Sequence, residues 1–203
     1  MKIKIGKIEI GGGALLLLSA AYFFDSSNLL PLVIAAAAAH ELGHYLVLRI
    51  LGRHPGAITL GFTGVSMTVD RPQSYGQEIL TALGGPAASA VLTLLSSAIA
   101  RFFGTAGAYA FAGVNLVFCA FNILPVFPLD GGRAIYAAVS FFFGPRAAER
   151  AIYLSSCVLI FAAAVAGTLL LIVTKHNFTL LAAAIWLLVC YCKCDGNSIK
   201  SGL

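Results

Sequence analysis

Long apolar runs broken by short polar loops organise this chain from end to end. Five read as membrane-crossing helices, at residues 29–51, 77–103, 106–130, 151–174 and 178–192, since about 20 apolar residues in a helix cross about 30 Å of hydrocarbon. A shorter run at 10–24 precedes them, behind Lys2, Lys4 and Lys7. That order resembles a secretory signal, but no small-x-small cleavage site leads into a polar domain, so the run is taken as helix one. The helical pattern gives way in one loop, residues 52–76, where apolar and small or polar positions alternate from Ile58 to Val69 around a turn at Thr63-Gly64. Alternation at period two predicts a β-hairpin. A sheet edge cannot face lipid, so the hairpin is expected at the interface or in a protein-lined cavity. The expected fold is all-α and membrane-integral: six transmembrane helices with a short β-hairpin between helices two and three, residues 1–203 forming a single domain.

Composition supports lipid as the solvent, with 60% of the 203 residues hydrophobic and only 10% charged. The net charge of +5 does not point to nucleic acid, because the basic residues are scattered over short loops. With the N-terminus cytoplasmic, eleven of the thirteen Lys and Arg residues fall on that side and only Arg101 and Lys175 on the other. The positive-inside bias therefore predicts N-in, C-in, consistent with a bacterial cytoplasmic membrane. Five cysteines, two of them inside apolar helices, do not form a disulfide framework. Cys190, Cys192 and Cys194 read as small thiols at a membrane boundary, with metal binding or palmitate as alternatives.

Chemistry concentrates in the second apolar run, which contains His40-Glu41-Leu42-Gly43-His44. Spacing of four places both imidazoles on one helical face, where they can hold Zn²⁺ while Glu41 stays outside the ligand set and can accept a proton from water. His40 sits about 16 Å of helix from either end of its run. Two imidazoles and a carboxylate at that depth are expensive unless they have partners or a water-filled cavity, so function outweighs a reading as satisfied core histidines. A catalytic zinc takes a third protein ligand. His54, Asp70 and Glu78 lie in or beside the loop, and Asp25 and His176 belong to the opposite face. Asp130 remains, closing a stretch from Asn122 in which Pro125, Pro128, Gly131 and Gly132 interrupt a membrane helix. Such a break is tolerated where it is buried in protein or lines a cavity.

These residues resemble the site-2 protease-type intramembrane zinc metalloproteases, which combine HExxH with N-x-x-P-x-x-P-L-D-G-G, here Asn122, Pro125, Pro128, Leu129, Asp130, Gly131 and Gly132. The likeness is strong over residues 29–133 and topological beyond. The absence of an inserted PDZ module and the hairpin before Gly84-Gly85-Pro86 resemble most the compact branch containing the stage IV sporulation metalloprotease. That branch often carries a cytoplasmic CBS domain after the last helix, which these residues lack, so nucleotide sensing is not expected. The resemblance implies zinc on His40, His44 and Asp130, Glu41 as general base and then acid, and Asn122 near the substrate carbonyl or its oxyanion. For Asn122 the alternative is a helix-breaking amide that hydrogen-bonds the backbone freed by Pro125. Gly84-Gly85-Pro86 reads as a packing turn that permits close helix approach.

The implied activity is peptide hydrolysis in a membrane protein substrate at a cavity opening to the cytoplasm, as in regulated intramembrane proteolysis of a membrane-tethered regulator. The bilayer is a partner, a membrane regulatory protein is an admissible one, and nucleic acid is not. The hairpin is expected to supply the edge on which substrate is laid extended. The rival is a non-proteolytic membrane zinc protein. A transporter would distribute ligands along a path through both faces, and a pseudoprotease scaffold would have lost Glu41 or a ligand. Prenyl-protein hydrolases pair HExxH with a Glu-based motif rather than Pro-Leu-Asp-Gly-Gly.

Overall fold

The computed structural model describes residues 2–5, 8–11, 22, 25, 28–61 and 64–195. Its elements are β1 (Lys2–Ile5), β2 (Ile8–Gly11), α1 (Leu30–Ile50), β3 (Pro55–Gly61), β4 (Gly64–Val69), α2 (Tyr75–Phe103), α3 (Ala106–Asn122), α4 (Asp130–Phe143), α5 (Pro145–Thr174) and α6 (Thr179–Asp195). They divide into two compact units, Met1–Pro72 with Leu80–Asn122 and Gln73–Ile79 with Ile123–Leu203.

In the first unit, α1 starts where both carboxylate oxygens of Asp25 accept the Leu29 and Leu30 N–H groups, at 2.9 and 2.8 Å. These are the N–H groups a helix start leaves without an intrahelical partner. Its buried positions are Ala36, His40, Gly43, His44 and Leu48, one stripe at helical spacing. Small residues let α2 approach that stripe closely. A Cβ on Gly43 would collide with the Gly84 carbonyl, and one on Gly84 would come within 2.9 Å of the Gly43 carbonyl. Gly84-Gly85-Pro86 is therefore packing, as expected, but it lies inside a continuous helix rather than in a turn.

The hairpin is present as β3 and β4, paired antiparallel from Pro55 opposite Val69 to Gly61 opposite Gly64. A register irregularity between Pro55 and Ile58 is bridged by the Thr68 hydroxyl, which accepts the Ala57 N–H at 2.9 Å. The hairpin is not isolated. β1 and β2 pair antiparallel, β2 pairs parallel with β3, and a four-stranded sheet results in the order β1-β2-β3-β4. Most of the expected first helix, residues 10–24, lies outside the described residues, but Ile10 belongs to β2. The all-α expectation is corrected here. The lysine-bearing start of the chain read as a flank to a helix, whereas Lys2–Ile5 pairs with Ile8–Gly11 and that strand pairs with β3, Ile8 lying opposite Ile58.

The second unit begins with the first turn of α2 and resumes after α3. The expected helix 106–130 is two elements. It ends at Asn122, and Asp130 opens α4, a helix the sequence reading did not separate. The intervening backbone is satisfied by α5: the Ser155 hydroxyl donates to the Pro125 carbonyl at 2.7 Å, and Ser156 Oγ accepts the Phe127 N–H at 3.2 Å. Irregular backbone at membrane depth needs such partners. Close α5–α6 packing depends on Gly167, where a Cβ would meet Leu181 backbone at 2.7 Å.

Large apolar side chains face outward, Leu94, Phe102, Phe161 and Val173 among them, while the buried set is dominated by Ala, Ser and Gly. That is the inverse of a water-soluble core and the pattern of helices packed in lipid. The chain is an integral membrane protein: α1, α2 and α5 are long and apolar enough to cross a membrane, and Ala106–Asn122 and Thr179–Cys192 are shorter apolar helices.

Candidate metal centre

Both imidazoles of α1 are held from behind by α2. His40 Nδ1 lies 3.0 Å from Ser89 Oγ, and His44 Nδ1 lies 2.7 Å from the Thr81 carbonyl oxygen. A carbonyl can only accept, so His44 carries its proton on Nδ1 and presents the lone pair of Nε2. The Gly85 N–H, 3.3 Å from the same Nδ1, is the longer contact and meets a nitrogen with no lone pair left. The serine hydroxyl can accept from His40 Nδ1 in the same way. The two Nε2 atoms then face each other at 3.3 Å, with the rings nearly perpendicular at 81°.

Two lone pairs at that separation repel unless a proton or a cation lies between them. Tetrahedral zinc with Zn–N bonds of 2.0–2.1 Å sets its nitrogen ligands about 3.3–3.4 Å apart, which is the spacing found. Gly85 keeps the approach open. A Cβ there would collide with His44 Nε2 and come within 2.6 Å of His40 Nε2. Gly85→Ala is therefore expected to abolish most zinc binding with the helices intact, checked by metal content beside the far-ultraviolet circular dichroism spectrum. The donor set fits zinc: two neutral imidazoles, each fixed by a second partner as metal-ligating histidines commonly are.

Glu41, on the same turn, is half-buried beside the buried His40. Phe118 of α3 packs on His40 with ring centroids 5.9 Å apart.

In the second unit, Asp130 occupies the first turn of α4 and is buried to 7% exposure. A helix N-terminus favours a carboxylate there. The two glycines that follow are dictated by the loop folded over this turn: a Cβ on Gly131 would strike the Ile123 carbonyl, and one on Gly132 would lie 2.6 Å from the Val126 carbonyl. Among the described residues, His40, His44 and Asp130 are the buried imidazole and carboxylate groups.

Asn122 is the last residue of α3, and its amide Nδ2 donates to the Phe118 carbonyl at 3.0 Å. One of its two N–H groups is thus engaged one turn back on its own helix, at a carbonyl other than the one Pro125 frees. Sequence reasoning missed Thr81 and Ser89, which determine how the imidazoles stand, and the pairing of Glu78 with Arg133. Small polar residues on an apolar helix carry no mark of their partners. Cys119, Cys157, Cys190 and Cys192 are in no disulfide.

No protein-family model matches the chain. A zinc metalloprotease of Methanocaldococcus jannaschii is 32% identical over 107 residues, covering 50% of this chain and 31% of that protein. Proteins named as candidate zinc metalloproteases in Synechocystis sp. and Mycobacterium tuberculosis are 34% identical over 107 and 108 residues, covering 28% of each. The matches thus span less than a third of these relatives' lengths. Among solved structures, the site-2 protease from Methanocaldococcus jannaschii superposes with a TM-score of 0.71 at 22% identity, covering 95% of this chain and 94% of that one. The fold is that of a site-2 protease. At this identity the likeness concerns the fold; the chemistry rests on the residues.

Proposed function

We propose that the chain is an intramembrane zinc endopeptidase, with His40, His44 and Asp130 as zinc ligands, Glu41 as catalytic base and acid, and residues 1–203 acting as one membrane metalloprotease domain. The observation that carries it is the pair of Nε2 atoms 3.3 Å apart, each ring tied at its other nitrogen. The metalloprotease names of the relatives and the site-2 protease fold support the same reading. Zinc, when bound, supplies a Lewis acid that polarises the scissile carbonyl and acidifies water.

The chain's own residues do the rest. Thr81 and Ser89 hold the imidazoles in the ligating orientation. The Glu41 carboxylate takes a proton from the attacking water and delivers it to the departing amine, so the C–N bond breaks as a neutral amine leaves. The second N–H of Asn122 is assigned to the substrate carbonyl as negative charge develops on its oxygen. The apolar surroundings exclude bulk water and strengthen each of these interactions.

The proposed substrate is a membrane-associated or single-span protein, such as a membrane-tethered regulator, with the chain oriented N-in and C-in in a cytoplasmic membrane. The compact sporulation branch and a regulatory role rest on the sequence resemblance. Co-expression with a panel of membrane-tethered regulators tests the function: a new cytoplasmic fragment is expected with the native chain and not with a Glu41 variant. A fragment that persists in the variant, or a zinc-loaded chain that cuts no member of the panel, counts against it.

A peptide must be extended before its carbonyl can be attacked, because a helix keeps its carbonyls hydrogen-bonded. β4 is an outer strand of the sheet and pairs, among the described strands, with β3 alone, whereas β3 is flanked on both sides. Within the expected hairpin edge, β4 is the strand to which substrate adds. Proline placed singly at Val65, Ser66 and Met67 removes one N–H each, and alternate positions point away from β3. Cleavage is expected to fall at the outward positions while zinc content holds. Unchanged cleavage by all three variants would leave the hairpin a cover.

A further inference from the structure

The N-terminus of α2 is fixed by a reciprocal cap in which the Ser74 N–H donates to Gln77 Oε1 at 3.2 Å and the Gln77 N–H donates to Ser74 Oγ at 3.4 Å. The next residue is Glu78, whose carboxylate is thereby set on a rigid first turn. It receives two N–H groups from one guanidinium, Arg133 Nη2 at 2.6 Å and Nε at 3.1 Å on the same Oε1. The third nitrogen of that guanidinium, Nη1, lies 3.8 Å from Asp130 Oδ1, one helical turn back along α4. The pair is only partly exposed, at 36% for the Arg133 side chain and 21% for that of Glu78. All three groups belong to the second unit.

We propose that Glu78 and Arg133 are positioning residues that orient the Asp130 carboxylate and balance charge around it for metal binding. This rests on Asp130 being a zinc ligand, as put forward above. An arginine free to move would close the 3.8 Å gap onto Asp130 and compete with a cation for the carboxylate. Glu78 prevents this by taking the strong contacts of the fork on two of its three nitrogens. The remaining contact faces one oxygen of Asp130 at 3.8 Å, beyond hydrogen-bond reach. Two carboxylates and one guanidinium also leave the cluster with one net negative charge, which favours an incoming Zn²⁺. Removing Glu78 leaves a net charge of zero and an unrestrained cation beside the ligand. Arginine suits this role because its planar fork fixes direction as well as charge, which lysine does not.

The test is zinc affinity, measured by chelator competition on the purified full chain in detergent, together with the melting temperature with and without zinc. Glu78→Gln is expected to weaken zinc binding by about 10–100-fold, the range for outer partners of metal ligands. The zinc-induced rise in melting temperature should shrink while the metal-free value stays close to native. The charge swap Glu78→Arg with Arg133→Glu separates positioning from simple stapling. It can rebuild the ion pair, the net charge and the metal-free stability, but it takes away the guanidinium that faces Asp130, so the carboxylate loses its orientation and zinc affinity stays low. Native zinc affinity in Glu78→Gln, or its full recovery in the swap, overturns the proposal. If Asp130→Ala itself keeps native zinc affinity, the ligand assignment fails instead, so the two failures are told apart.

Discussion

Glu41→Gln is expected to lower peptide cleavage by at least about a hundredfold, the lower end of what a positioned general base contributes, with zinc content unchanged. The amide matches the carboxylate in size and can still hydrogen-bond to water, but it cannot accept the proton that makes water a nucleophile. It also cannot return a proton to the leaving amine, so both halves of the reaction suffer. Glu41 is half-buried, while the imidazoles beside it are buried and tied to α2 through their Nδ1 atoms. The substitution therefore leaves the His40 and His44 supports in place. Metal content by atomic absorption, beside cleavage of a co-expressed membrane substrate, reads the two effects separately. Substantial turnover in the variant would assign the base elsewhere, and loss of zinc would make Glu41 part of the metal's environment.

Asp130→Ala should have a comparably large effect by another route, lowering zinc occupancy and activity together. Two imidazoles alone form an incomplete site for a catalytic zinc, which ordinarily holds three protein ligands and one open position. Metal affinity falls with each donor removed, so the loss appears already in the purified protein at low free zinc. Asp130→Ala also removes the negative charge from the first turn of α4 and leaves Arg133 Nη1 without its carboxylate neighbour. Asp130→Asn keeps the shape and a hydrogen-bonding oxygen at that turn, so it should fold better than the alanine variant while still binding zinc poorly. Comparing the melting temperatures of the two metal-free variants separates the helix-terminus effect from the ligand effect. Full zinc loading and normal activity in Asp130→Ala would remove Asp130 from the ligand set.

Much of the candidate site is legible along the chain because its elements are local. HExxH needs only the helical repeat to put His40 and His44 on one face, and the helix found, Leu30–Ile50, agrees with the expected run to a residue at each end. The glycines after Asp130 read as part of a helix break, whereas they lie inside the first turn of α4, where a Cβ on either would strike the Ile123–Val126 stretch. Segment boundaries were harder where proline intervened. Pro125 and Pro128 signalled an interruption, but apolar character continues across it, and hydropathy alone does not tell one broken span from two helices.

What the sequence by itself determined is the lipid solvent, the three long helices, the hairpin and the chemical types in the candidate site. Each follows from composition or from a repeat shorter than about a dozen residues. Tertiary structure alone decided which nitrogen of each imidazole is presented, because that depends on Thr81 and Ser89, 37 and 49 residues away. It also decided that the N-terminal strands extend the hairpin into a four-stranded sheet, since strand pairing is made by backbone groups that every residue carries. The contact between Glu78 and Arg133, 55 residues apart, was likewise invisible. A charge in a sequence shows its sign, and only the packed chain shows which partner it meets.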